Sequence, residues 1–344
     1  MFEDEKNRLE SGVSDQTRDE MSSIGINGID DVMTGVDISA VFDHAREILS
    51  RYAPAPLSAL AMLLCVIMIA SIAESYTYSL RYTHTKEIMG AAVSLLTVSS
   101  VISPIAKLSA DSVSVIGGAA SLMLIYLPIM AGLLAFSGAA ISSAGYYAAV
   151  VTGAGALSKL ASSVLAPLLN IFLSLAVCSG IGGRIRLNGL IEMIAKAFKW
   201  LLTFSVSMFI AVIGMNSALS GAADGLSGKA AKFTLSSLIP MIGSSLADAY
   251  QTVRSSLGLL RSGMGVFVIL AVMISFAPVL VRALLWTLAV NCAKTAAEAF
   301  SVSSAGHIFN ALISYLSALR ALMIGVLIAF IVSSAVMIRV GGSG

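Results

Sequence analysis

Charge is what this sequence has least of: Asp, Glu, Lys and Arg make up 12% of its 344 residues, against about 25% in an ordinary soluble domain. Ser112 to Ser158 is a run of 47 residues containing none of the four. No water-soluble surface can be built from such a run, which excludes the two soluble domains that length alone would suggest. Cysteine is scarce as well. Cys65, Cys178 and Cys292 stand singly in apolar stretches, so neither a disulfide framework nor a zinc pattern is indicated, and they read as small packing residues. The histidines His44, His84 and His307 are too scattered for a metal site. Neither a GxxxxGK[ST] phosphate loop nor an HExxH pair occurs, so ATP hydrolysis and zinc catalysis are not expected of this chain, and no cofactor or nucleic acid is called for. The acidic start lacks the basic and apolar regions of a secretory signal; either such a signal has been removed or the first span directs insertion.

What the chain has instead is apolar length. Its mean hydropathy is +0.91 and 57% of its residues are hydrophobic. About 18 to 20 apolar residues, rising about 1.5 Å each, cross roughly 30 Å of hydrocarbon. Charge-free runs at 56–73, 88–106, 112–158, 160–183, 200–223, 262–281 and 321–338 are candidate spans, the third long enough for two helices broken near Ser137 to Gly145. Phe233 to Ala247 is short and carries Pro240 and Gly243, which suits a re-entrant or broken helix. Ala299 to Leu319 is long enough but contains His307 and Asn310, so it spans only if those groups face protein or water. The expected fold is all-α: a polytopic membrane bundle of about 7–9 spans with amphipathic interfacial helices.

Charge also divides the chain. Residues 1–55 hold 12 acidic and 5 basic side chains, and the remainder 7 and 16. The expected organisation is an acidic, mobile segment over 1–36, an amphipathic helix over 37–55, a membrane domain over 56–340 and a Gly/Ser tail at 341–344. Residues 1–36 have too little apolar surface to fold alone. In the next segment Ile38, Val41, Phe42, Ala45, Leu49 and Tyr52 fall at helical spacing after Asp37 as N-cap, and Pro54 and Pro56 stop it. A basic amphipathic helix is expected at Arg184 to Lys199, with Leu187, Ile191, Ile194 and Phe198 on one face and Glu192, Lys196 and Lys199 on the other. Such helices favour the cytoplasmic leaflet, and five crossings between it and the head would put the head outside the cytoplasm.

Three groups of residues carry whatever chemistry there is. Thr287, Asn291, Lys294 and Glu298 form a polar stripe, which faces either a cavity or another subunit, or else water at the interface. The segment containing Asp224, Gly225, Lys229, Lys232, Pro240, Gly243 and Asp248 is a candidate passage or assembly element, because a short Pro-broken run is flanked by charges. Arg184, Arg186, Lys196 and Lys199 are candidates for docking a cytoplasmic partner. The string Gly225-Leu226-Ser227-Gly228 with His307 would suit an intramembrane serine protease, but it lies in a polar stretch among Asp224, Lys229 and Lys232. The small residues, 29 of them Gly, permit the close helix contact that holds bundles together in lipid.

Asp224-Gly225, Ser227-Gly228-Lys229 and Ala231-Lys232-Phe233, then Ile239-Pro240 with Gly243, then Leu246-Ala247-Asp248 resemble the stage III sporulation protein AE family. Leu127-Pro128, Leu133 to Gly138 and Ser142 to Ala144 are similar to it too. The resemblance implies a membrane subunit of a secretion-like channel complex linking mother cell and forespore, acting as platform or conduit and needed for forespore development. It implies partners from the same stage III sporulation A operon, including a separate ATPase and ring-forming subunits, together with membrane lipid and further copies of the chain. It places the protein in the mother-cell membrane around the forespore and implies no enzymatic activity. An independent small-molecule or ion transporter is the alternative.

Overall fold

A computed structural model describes residues 2–34, 38–80, 83–137, 140–181, 188–238, 243–302 and 306–339, with side chains described for all of these except 2, 33, 34, 38, 76–80, 83–91, 140–142, 176, 179–181, 188, 217–238, 243–254 and 307. The described residues are almost wholly helical. Three short helices open the chain: α1 (Phe2–Ser11), α2 (Asp15–Ser23) and α3 (Ile29–Thr34). Then come α4 (Ile38–Tyr52), α5 (Pro54–Leu80), α6 (Thr83–Phe136), α7 (Ala140–Leu160), α8 (Ala166–Ile181), α9 (Asn188–Leu238), α10 (Gly243–Ala299) and α11 (Gly306–Arg339), with a π-helical segment, Ala161–Leu165, joining α7 to α8.

Pro54 and Pro56 do not simply stop α4. They open α5, because a proline in the first turn lacks only an N–H that would be unpaired there in any case. The break foreseen near Ser137 to Gly145 is real and narrow: α6 ends at Phe136 and α7 starts at Ala140. Elsewhere the runs join. Runs 88–106 and 112–136 lie on the single helix α6, which carries Pro104 and Pro128 inside it. Run 160–183 continues from α7 through the π segment, and 321–338 shares α11 with Asn310. Six helices among the described residues are therefore long and apolar enough to cross a membrane: Pro54–Ser75, Ala92–Phe136, Ser143–Leu175, Gly189–Asn216, Ser255–Ala299 and Ile308–Arg339. Seven to nine were expected; the difference arises because Lys107 with Asp111, and Lys159, interrupt the charge-free runs without interrupting the helices. At 54 and 57 residues, α6 and α10 run to about 80 Å each and extend beyond one hydrocarbon layer of about 30 Å.

The amphipathic segment expected after the fifth crossing is not a separate element. It forms the first turns of α9, with Ile191 and Phe198 buried against the bundle, and continues directly into the span. The expected break near 233–247 falls between α9 and α10, where residues 239–242 lie outside the described residues.

One hydrophobic cluster runs through the molecule. α11 is its central post, packed on α10, α9 and α8, while α7 bridges α6 and α9. Tyr126, Phe172, Phe276, Phe309, Tyr315 and Phe330 are fully buried in it, and the rings of Phe172 and Tyr315 meet edge-on at 5.9 Å. The outer surface is apolar too: Ile69, Ile72, Trp200, Met208, Met215 and Leu288 are exposed, as expected of faces turned to lipid. All three cysteines are free and exposed. The expectation that they pack inside the bundle is corrected: a lone thiol is apolar enough to face acyl chains as readily as protein.

The acidic opening is not a solvated tail. Leu9, Val13, Met21, Ile24, Ile26 and Ile29 are buried in the common cluster, and α1 packs on α6 while α2 and α3 pack on α10. Glu3, Asp4, Asp15, Asp19 and Asp30 are exposed while a sparse set of apolar anchors points in, so docking to the body supplies the burial that the segment lacks alone. Local chemistry sharpens the ends of α2. Ser14 accepts from Thr17 N–H at 3.3 Å. Gly25, at φ 81°, closes the helix with Gly25 N–H to Ser22 and Ile26 N–H to Met21, both 3.0 Å. That is a Schellman cap, and its usual apolar contact is supplied by buried Ile26 and Met21. In α4 the half-buried and buried face is Ala40, His44, Ile48 and Tyr52, which leaves the expected stripe residues Val41, Phe42, Ala45 and Leu49 exposed.

Candidate functional site

The head covers a polar chamber of about 490 Å³ against α6 and α10, lined by Gln16, Glu20, Tyr52, Lys107, Asp111 and Arg282 among others. Lys107 and Asp111 are one turn apart on α6, between its two apolar halves. Arg282 comes from the middle of α10 and forms an ion pair with Asp111. Its guanidinium also lies over the Tyr52 ring at 5.1 Å, a cation–π contact, while its Nε has no hydrogen-bond partner. Thr17 and Ser275 join head to α10 by a 2.8 Å hydroxyl contact.

Glu20 is the unusual wall. It is 6% exposed, accepts a long hydrogen bond from Gln16 at 3.5 Å, and its Oε2 has no partner. Burial pushes its carboxyl above the ordinary range, against the opposing pull of Gln16, His44 and Arg51. Gly12 lets the head come this close: a Cβ there would stand 2.6 Å from Ile125 Cδ1.

A second polar centre is wholly interior. The Tyr146 hydroxyl of α7 donates to the Ser333 carbonyl of α11, and Ser334 donates to Met123 Sδ at 3.8 Å. The Tyr126 hydroxyl is buried without a partner and sits 3.3 Å from where a Cβ on Gly265 would be. Arg261, one turn before Gly265, is 6% exposed. A buried arginine among apolar helices is costly unless its charge is matched, so such residues mark places where a membrane protein does something specific.

Sequence reasoning missed both centres for one reason. Lys107, Asp111, Arg261 and Arg282 served only as the ends of apolar runs, although a charge flanked on both sides by apolar helix is itself the signal. The residues it did single out are placed as follows. Thr287 is buried with its hydroxyl donating to the Ala283 carbonyl at 2.6 Å, Asn291 donates to the Thr287 carbonyl at 2.8 Å, and Lys294 and Glu298 pair at 3.7 Å within the same helix. Asp224, Gly225, Lys229 and Lys232 fall on the C-terminal half of α9, Gly243 opens α10 and Asp248 is in its second turn; their side chains, and Pro240, lie outside the described residues. Lys196 pairs with Glu192 at 3.0 Å on the surface of α9, and Lys199 is exposed beside it. Arg184 and Arg186 lie outside the described residues. Among the described residues no cluster of His, Cys, Asp and Glu could hold a metal.

The model of the family described as stage III sporulation protein AE matches residues 27–341. The chain belongs to that family. A curated relative, the stage III sporulation protein AE of Bacillus subtilis (strain 168), is 26% identical over 146 residues, which is 42% of this chain and 37% of that relative. No solved structure matches. The family match begins after α2, so the chamber has one wall inside it, on α6 and α10, and one wall, bearing Gln16 and Glu20, before it.

Proposed function

We propose that this protein is a membrane subunit of a sporulation-specific, secretion-like channel complex linking mother cell and forespore, serving as platform or conduit rather than as an enzyme. The observation that carries the reading is the family match over residues 27–341 laid on a body with six membrane-length helices among its described residues. In this reading other products of the stage III sporulation A operon, a separate ATPase and ring-forming subunits among them, assemble on the body in the mother-cell membrane around the forespore. The segment from Asp224 to Asp248 forms an assembly or passage element, and several copies of the chain take part. Among the described residues, three candidate spans lie between the head and the start of α9. That odd number supports a head outside the cytoplasm when the basic start of α9 is inside.

The polar chamber favours a second reading, an independent transporter of small polar solutes, because an ion pair and a buried carboxyl line one cavity beside long apolar helices. Purification from sporulating cells separates the two. A subunit co-purifies with its operon partners and passes no solute when reconstituted alone in liposomes; solute flux through the isolated protein would sink the subunit reading.

A further inference from the structure

A pocket of about 390 Å³ lies between the first turns of α9 and α11, lined by Glu192, Lys196 and Lys199 on one side and by Asn310 and Ser314 on the other. We propose that it holds the phosphate headgroup of an anionic phospholipid.

The polar groups suit a phosphate. Two ammonium groups, a carboxamide and a hydroxyl supply donors, and the one carboxylate in the wall, Glu192, is already engaged by Lys196 at 3.0 Å. With Lys196 and Lys199 against the single Glu192, the pocket lining carries a net positive charge. The depth suits a headgroup. Trp200, next to Lys199, is 67% exposed and stacks on Phe204 with centroids 5.5 Å apart and planes 9° from parallel. Exposed tryptophan on a spanning helix marks the boundary between water and hydrocarbon. Both pocket helices continue from here as candidate spans.

The surroundings favour a lipid over the other sources of a negative group. Leu190, Met193, Trp200, Phe204 and Met208 are exposed along α9, so a molecule with both a phosphate and acyl chains satisfies the lysines and the apolar stripe together. A free anion would leave the stripe uncovered, and a soluble protein would have to meet a surface at hydrocarbon depth. Basic pockets between spanning helices are a recurrent headgroup site.

Native mass spectrometry of the full chain, stripped of lipid in detergent and offered phosphatidylglycerol or phosphatidylcholine, tests this. Phosphatidylglycerol is retained in preference, and its affinity falls about fivefold for each of Lys196→Ala and Lys199→Ala. Lys199→Arg keeps it, and Lys159→Ala, a charge removed elsewhere on the bundle, leaves it unchanged. Unaltered melting temperatures show that the variants are folded. Equal retention of the two lipids, or a double variant that binds normally, overturns the proposal. So does displacement by excess inorganic phosphate, which would make this a soluble-anion site. Normal lipid retention with loss of a co-purifying protein would make it a protein-docking face and would overturn the proposal too.

Discussion

Head and body are both helical, but different forces hold them, and the contrast explains where this protein is robust and where it can be adjusted. The helices α1 to α3 have 10, 9 and 6 residues, lengths at which an isolated helix in water is marginal. They persist because a few buried side chains and caps tie them to α6 and α10. In the body the order is reversed. Helices in hydrocarbon form because their backbone polar groups have no other partner, and what needs explaining is how they pack. Close approach at Gly153 and Gly265, where a Cβ would stand 2.5 Å from Phe209 and 2.4 Å from Ile338, contributes to this, and a few hydrogen-bonded or charged side chains fix the arrangement. The chamber is where the two regimes meet.

The largest effect expected is from Leu9→Ala, which empties a fully buried anchor and weakens head docking by about 3 kcal/mol. Limited proteolysis should then cut within residues 2–34 while the melting temperature of the body stays put. If body and head melt together, the contrast between them is wrong. Arg282→Ala removes the cation of a partly exposed ion pair and the partner of the Tyr52 ring. It should cost about 2 kcal/mol, below the figure for a fully buried pair because solvent screens it. The loss should appear in both regions, as faster proteolysis of the head and a lower melting temperature of the body, and adding Asp111→Asn should recover part of it.

Tyr146→Phe deletes one interior hydrogen bond and should lower body stability by about 1 kcal/mol without touching the head. A larger loss would mean that the Tyr146–Ser333 link organises its neighbours as well as itself. The smallest change is from Glu20→Gln. Burial raises the folded-state pKa of Glu20, so its contribution to docking is fully present below its unfolded value, about 4.3, and is lost as pH rises through the folded value. Glutamine should therefore slow hydrogen exchange in residues 15–23 at neutral pH, leave it unchanged near pH 4, and flatten the pH dependence. A variant that exchanges faster at neutral pH would show that the ionised carboxylate holds the head down.

Much of the body was legible in the sequence. The apolar runs located the membrane helices, Gly and Ser near residue 138 located the α6–α7 break, and the motifs around Asp224 to Asp248 pointed to the family. The head was misread because composition averages over a segment, whereas docking depends on where a handful of residues stand. Leu9, Val13, Met21 and Ile29 are too few to make residues 1–36 hydrophobic, yet they lie on the side that meets the body. The charges of the polar chamber and the Tyr126–Arg261 region stand out in the sequence, but which groups they join does not, for a related reason. The chamber and that region assemble Lys107 with Arg282, and Tyr146 with Ser333, across separations that no local pattern records.

The sequence by itself determined that this chain is helical and lives in a membrane, because uncharged length and the need of backbone groups for hydrogen bonds leave an apolar chain in lipid almost no other choice. Which helices run unbroken through a charge, which side of the acidic opening is buried and which scattered polar groups share a cavity were decided only by the tertiary structure. Those outcomes depend on the free energy of contacts between distant residues, and a charge beside an apolar run carries no mark of whether it will face water or a partner from another helix.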